Sequence, residues 1–152
     1  MIHSYGNAGK VVIKVDKKIR VSEGIRIEVN DNGDCIVAHV EDHNFIDNFH
    51  GLIEKFENIH GELKAAEAKT VSKEEQMQLV KTKMQEITGA IDGLFGVDTC
   101  KKVFGEGVIP SGFLIAEFFE QLEPIFREYV DKRQRTISEK YNRNRGHGSK
   151  RG

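Results

Sequence analysis

Polar and apolar residues alternate with one period early in the chain and with another later. "IRIEV", Ile25 to Val29, alternates with period two, which predicts a half-buried strand. "KVVIKV", Lys10 to Val15, is rich in β-branched residues and predicts an earlier strand. "CIVAHV", Cys35 to Val40, reads as a return strand. Between them lies "NDNGD", Asn30 to Asp34, with Asn32-Gly33 at its centre. Asn-Gly readily takes the positive φ angles of a tight hairpin turn.

From there the apolar period becomes helical. Phe45, Phe49, Leu52, Phe56 and Ile59 recur at steps of four, three, four and three, one face of a helix. Gly61 is placed to end or kink it, and the polar, Ala-rich "ELKAAEAKT" follows. "SKEE", Ser72 to Glu75, matches a capping box. A second stripe then runs through Met77, Val80, Met84, Ile87, Ile91 and Leu94, and Gly96 closes it. The final helix follows Ser111, a candidate cap, and carries Leu114, Phe118, Leu122, Ile125 and Tyr129. Ile115, Phe119 and Phe126 widen its stripe. Pro124 lies inside and predicts a kink near Glu120.

The segment "AIDGLFGVDTCKKVFGEG", Ala90 to Gly107, has two Phe-Gly steps around a cysteine. A phosphate-binding loop needs consecutive amides opening onto a helix at Walker or dinucleotide spacing, and neither spacing is present. A nucleophilic Cys100 needs a base and an orienting partner, and the spacing points to none. The segment therefore reads as two helix ends around a structural cysteine. Asp98 is placed to cap the short helix "TCKKVF", and Gly105 to close it.

Composition sets the broad class. The chain has 152 residues, 38% hydrophobic and 31% charged, which suits one globular domain with wet surfaces. No apolar run approaches the roughly 20 residues a membrane helix requires. The start, "MIHSYGNAGK", lacks the apolar segment of a signal peptide. Cys35 and Cys100 form no spaced pair and read as reduced thiols, so a cytoplasmic location is expected. The net charge of −1 is unevenly spread. Residues 133–152 hold seven Lys/Arg and one acid, about +6, which leaves −7 on residues 1–132. The chain thus divides into one α+β domain, residues 1–132, and a basic flexible tail, residues 133–152. Strands are expected over about 10–40 and helices over about 44–132.

Candidate chemistry is sparse. "HVEDH", His39 to His43, is superficially like the zinc helix H-E-x-x-H, but Val40 stands where the acid belongs and the segment reads as a strand end. His43, His50 and His60 fall on an exposed helical side, and the paired carboxylates fall at caps or on solvated faces. No catalytic, cofactor or metal site emerges. The basic tail offers Arg133, Arg135, Lys140, Arg143 and Arg145 as phosphate contacts, with Tyr141 able to stack.

The order of elements carries a resemblance. A small hairpin leads into "D-x-N-F" (Asp42 to Phe45), an amphipathic helix and a charged linker helix. "IDGLFG" (Ile91 to Gly96), "TCKKVFG" (Thr99 to Gly105) and the aromatic "FLIAEFFEQLEPIFREY" (Phe113 to Tyr129) follow. Over roughly residues 25 to 140 this resembles the small tail assembly chaperones of long-tailed bacteriophages and prophages of low-GC Gram-positive bacteria. The resemblance implies a non-enzymatic protein that binds the tape measure protein, a long helical chain, and keeps it soluble during virion assembly. The major tail protein is a further implied partner. Beside it, the residues themselves offer a wide apolar stripe for a partner helix, with Phe113, Phe118, Phe119, Met77 and Met84 as the candidate contacts. The three phenylalanines cover more than one side of a helix, so at least one should be exposed or covered by self-association. The alternative is a small nucleic-acid-associated protein working through its basic tail. The fold expected is a small antiparallel N-terminal sheet, a mainly helical bundle and a disordered basic end.

Overall fold

The structure, a computed structural model, describes residues 13–21, 24–69 and 72–150, with side chains given as far as Arg143. Among these residues two strands, β1 (Ile25–Glu28) and β2 (Cys35–Ala38), precede four helices: α1 (His43–Glu67), α2 (Lys73–Phe95), α3 (Thr99–Phe104) and α4 (Gly112–Lys150). The strands pair antiparallel, Ile25 opposite Ala38 and Ile27 opposite Ile36. These four side chains share one face and pack against the helices. The α+β order read from the sequence is the order found.

The hairpin turn differs from the two-residue form its Asn-Gly pair suggested. Gly33 takes a positive φ of 84°, but Asn32 does not. Asn30 organises the loop instead: its Oδ1 accepts from the amides of Asn32 at 2.9 Å and Asp34 at 3.2 Å. Its Nδ2 donates to Asp34 at 2.8 Å and to the Lys102 carbonyl of α3 at 3.0 Å. One side chain therefore shapes the turn and ties it to a helix 72 residues away.

The earlier strand over Lys10 to Val15 is not borne out where it can be seen. Residues 10–12 lie outside the described residues, and 13–21 form no strand. Ile13, Val15, Ile19 and Val21 are at least 75% exposed. β-Propensity acts through packing against strand neighbours, and this segment has none.

α1 and α2 lie antiparallel, with Phe95 at the end of α2 against Phe45 near the start of α1. Lys83 meets Glu62 at 2.9 Å near the other end, a hydrogen-bonded pairing that holds the lysine above its ordinary pKa. Gly61 does not end α1, which continues to Glu67. It faces open space, where glycine in a helix costs only about 1 kcal/mol against alanine. Ser72 caps α2 by accepting from the Glu75 amide at 3.1 Å, and Ser111 caps α4 by accepting from Leu114 at 3.3 Å.

α4 runs antiparallel to α1, Phe119 against Phe56 and Phe126 against Phe45. It passes through Pro124, whose ring leaves the Glu120 carbonyl without its usual helical donor. Glu41 clamps it to the corner between β2 and α1, taking the Tyr129 hydroxyl at 2.7 Å and Arg133 at 3.1 and 3.2 Å. The helix runs past residue 132, where the basic tail was expected to begin. α4 continues helically to Lys150, and residues 133–143 are exposed throughout. Extending an existing helix adds a hydrogen bond for each residue fixed, unlike nucleating one. Lys132 bonds Glu128 at 3.3 Å, and the Thr136 hydroxyl donates to the Lys132 carbonyl at 2.9 Å.

Eight of the nine phenylalanines form one network of ring contacts. Phe49 sits at its centre, against Phe45, Phe95, Phe119 and Phe126. Truncating such a ring leaves a cavity as well as losing its transfer energy. Phe49→Ala should therefore destabilise by about 3–5 kcal/mol. Phe113→Ala, at the one phenylalanine outside the network, should stay within about 0.5 kcal/mol. Urea unfolding followed by circular dichroism measures both, and equal effects at the two positions would contradict this account of the core.

Candidate functional site

The buried residues of α1 end at Ile59, and those of α2 begin only at Met84. The far end of α1 adds only the partly buried Leu63 to the core, and the first turns of α2 add no fully buried side chain. α1 finishes there in small residues, Ala65 and Ala66, and Ala66 lines the opening. An open groove of about 830 Å³ results. Leu63, Ala66, Met77, Val80 and Met84 line it, and Ile109 and Pro110 wall it from the loop before α4. Met77 is 66% exposed and Met84 is buried, so one methionine stands on the rim and the other forms the floor. Unbranched thioether side chains let such a surface adapt to different shapes. Glu67, Glu74, Lys73 and Lys81 share the lining, so its local charge is balanced.

The candidate contacts divide. Met77 and Met84 come together in the groove. Phe118 and Phe119 do not reach it: both are buried, Phe118 against Phe95 and Phe104, Phe119 against Phe49 and Phe56. Two elements rather than one seam receive them, which is how adjacent residues on a helix can both be core. Phe113 is the exposed ring, at 89%, two residues beyond the Ser111 that lines the groove. Leu114 and Val108 are also exposed nearby in the chain.

The basic candidates also separate. Arg133 is committed to Glu41, whereas Arg135, Lys140 and Arg143 are exposed along the outer part of α4. Arg145 lies on the helix, its side chain beyond the described ones. His39 is exposed beside the Phe45 ring at 6.3 Å, and His43 begins α1. Among the described residues no group of three His, Cys, Asp or Glu is placed to hold a metal ion, and no helix is long and apolar enough to cross a membrane.

The segment around Cys100 is a helix junction. Asp98 occupies the cap position of α3 in a left-handed conformation, but its side chain makes no capping bond. Asp92 does that work from α2: its Oδ1 accepts from the Cys100 amide at 2.8 Å. Sequence spacing gave no sign of this cap, because the acceptor lies eight residues back on another helix. Cys100 is buried, and its Sγ donates to the Thr88 carbonyl at 3.4 Å. Burial first, then the charge of Asp92 and its hydrogen bond, push the thiol up to about 12. It stays protonated at neutral pH, a poor nucleophile.

A model for a family of unknown function, DUF6673, matches residues 32–152, from the hairpin turn through all of α4. The chain belongs to this family. The DUF6673 region takes in the groove, the Cys100 junction and the basic part of α4, and it leaves out β1 and residues 13–21. No curated protein and no solved structure matches the chain.

The Cys100 environment has a pH signature. The unfolded thiol ionises near 9.0, while the folded one holds its proton to about 12. Between those values the folded state binds more protons, so stability falls as pH rises. Urea midpoints measured between about pH 9 and pH 11 should drop, and drop less in Cys100→Ala. Iodoacetamide at neutral pH should label half-buried Cys35 well before Cys100. Rapid labelling of Cys100 in the folded chain would show an accessible thiolate.

Proposed function

We propose that this protein is a non-enzymatic binding module that holds an amphipathic helix of a client in the groove between α1 and α2. The observation that carries the reading is the groove itself, with Met77 and Val80 exposed above the buried Met84. A helix presenting apolar residues at i, i+3, i+4 and i+7 can lay that face into such a channel. The client that fits the resemblance to phage tail assembly chaperones is the tape measure protein, kept soluble while tail subunits polymerise around it. Exposed Phe113 and Leu114 supply further apolar contact close to the groove along the chain. The setting is the host cytoplasm. A second reading has one observation in its favour: Arg135, Lys140 and Arg143 stand exposed on α4, suited to the phosphates of a nucleic acid.

Co-expression with a phage tape measure protein tests the first reading. The wild-type chain should keep the client in the soluble fraction. Met77→Asp puts a charge on the groove rim at an exposed position, so it should leave the fold intact and send the client to the pellet. A folded Met77→Asp chain that still solubilises the client would overturn the groove as the client site. Binding to duplex DNA that weakens steeply with added salt would favour the second reading.

A further inference from the structure

The face of α4 that builds the core does not stop where the body stops. Phe126 is buried on it, and Val130, Ile137 and Tyr141 follow by four, eleven and fifteen residues. At about 100° per residue these positions stay within about 60° of Phe126. Ile137 is 46% exposed and Tyr141 67%. The apolar stripe therefore runs on beyond the Glu41 clamp, uncovered among the described residues. Arg133 and Lys140 lie within about 40° of the same direction, which makes the stripe cationic as well as apolar.

We infer that this outer part of α4 docks in the groove of a second copy, giving a reciprocal two-fold pair. Three observations choose the occupant. First, the body carries −7 and residues 133–152 about +6, so each end of the chain complements the other. Arg133 on Glu41 is already one such contact within a chain. Second, the extension cannot reach its own groove. The groove lies by Ser111 at the start of α4, and Arg133 is 21 positions beyond Gly112 on a continuous helix, about 32 Å away at 1.5 Å per residue. Third, an antiparallel pair puts the two cationic extensions at opposite ends, where they do not repel each other. The groove lining is itself balanced, so the attraction comes from the whole acidic body, and Glu67 and Glu74 offer local partners for Lys140.

The inference rests on the groove being a helix site, and it gives that site a resident. A second copy covers the apolar lining until a client displaces it, and client binding is then opposed by self-association.

Light scattering on the full chain, without client, is the test. The wild-type chain should be dimeric at micromolar concentration. Met77→Asp in the groove, and separately Ile137→Asp with Tyr141→Asp on the extension, should each weaken association by at least about tenfold, as loss of a central apolar contact does. All three positions are exposed, so both variants should fold, which circular dichroism checks. An equimolar mixture of the two variants should regain heterodimers, because one chain keeps its extension and the other its groove. Wild-type chains that stay monomeric, a dimer indifferent to either variant, or a mixture with no heterodimer would each overturn the inference. Client binding is read separately: the extension variant should bind client at least as well as wild type. If the dimer behaves as described and no chain binds client, the client reading fails and the self-association stands.

Discussion

The structure depends on the packing of phenylalanine rings around Phe49. Three helices meet there, and each is held by a ring from its own stripe: Phe45 from α1, Phe95 from α2, Phe119 and Phe126 from α4. Most of these contacts are edge to face, the arrangement that aromatic quadrupoles favour. Directional contacts fix how the helices lie, not only that they come together. Phe118 extends the network to Phe104 on α3, and so brings in the helix junction around Cys100. The hairpin joins through Ile36 and Ala38 below and through Asn30 on Lys102 above.

Concentrating the large side chains at one end of the helices has a consequence at the other. The ends of α1 and α2 that meet near residues 60–83 lack rings, and Ala66 and Met77 stand where a closed core would place them. The groove is the complement of the aromatic cluster. Among the described residues nothing fills it, and its lining is mainly apolar. Nothing comparable is built around Cys100, where burial holds the thiol neutral and Asp92 serves a helix start.

α4 links these two halves. Its first turns pass the groove, its middle fills the core, and its outer part carries the same stripe into solvent. The DUF6673 match extends over the whole of this helix, so the basic part lies within the family region. Glu41, with Tyr129 and Arg133, marks the point where α4 leaves the body.

The sequence by itself determined the element order, because periods of two and of 3.6 are local properties of the chain. The hairpin over 25–38, the stripes of α1, α2 and α4, and the serine caps at Ser72 and Ser111 were all legible on that basis. Tertiary structure decided whatever depended on neighbours distant in the chain. Lys10 to Val15 has the composition of a strand, yet residues 13–15 have no partner strand. Phe118 and Phe119 are adjacent on a helix, and only the arrangement of α1, α2 and α3 around them made both core and left Phe113 exposed. Asp98 had the right place for a cap, but Asp92 reached the amide first from another helix. The basic end read as a flexible tail from its charge and its Gly, Asn and Ser content. It became helical as the continuation of a helix already packed, since growing a helix costs less order than starting it.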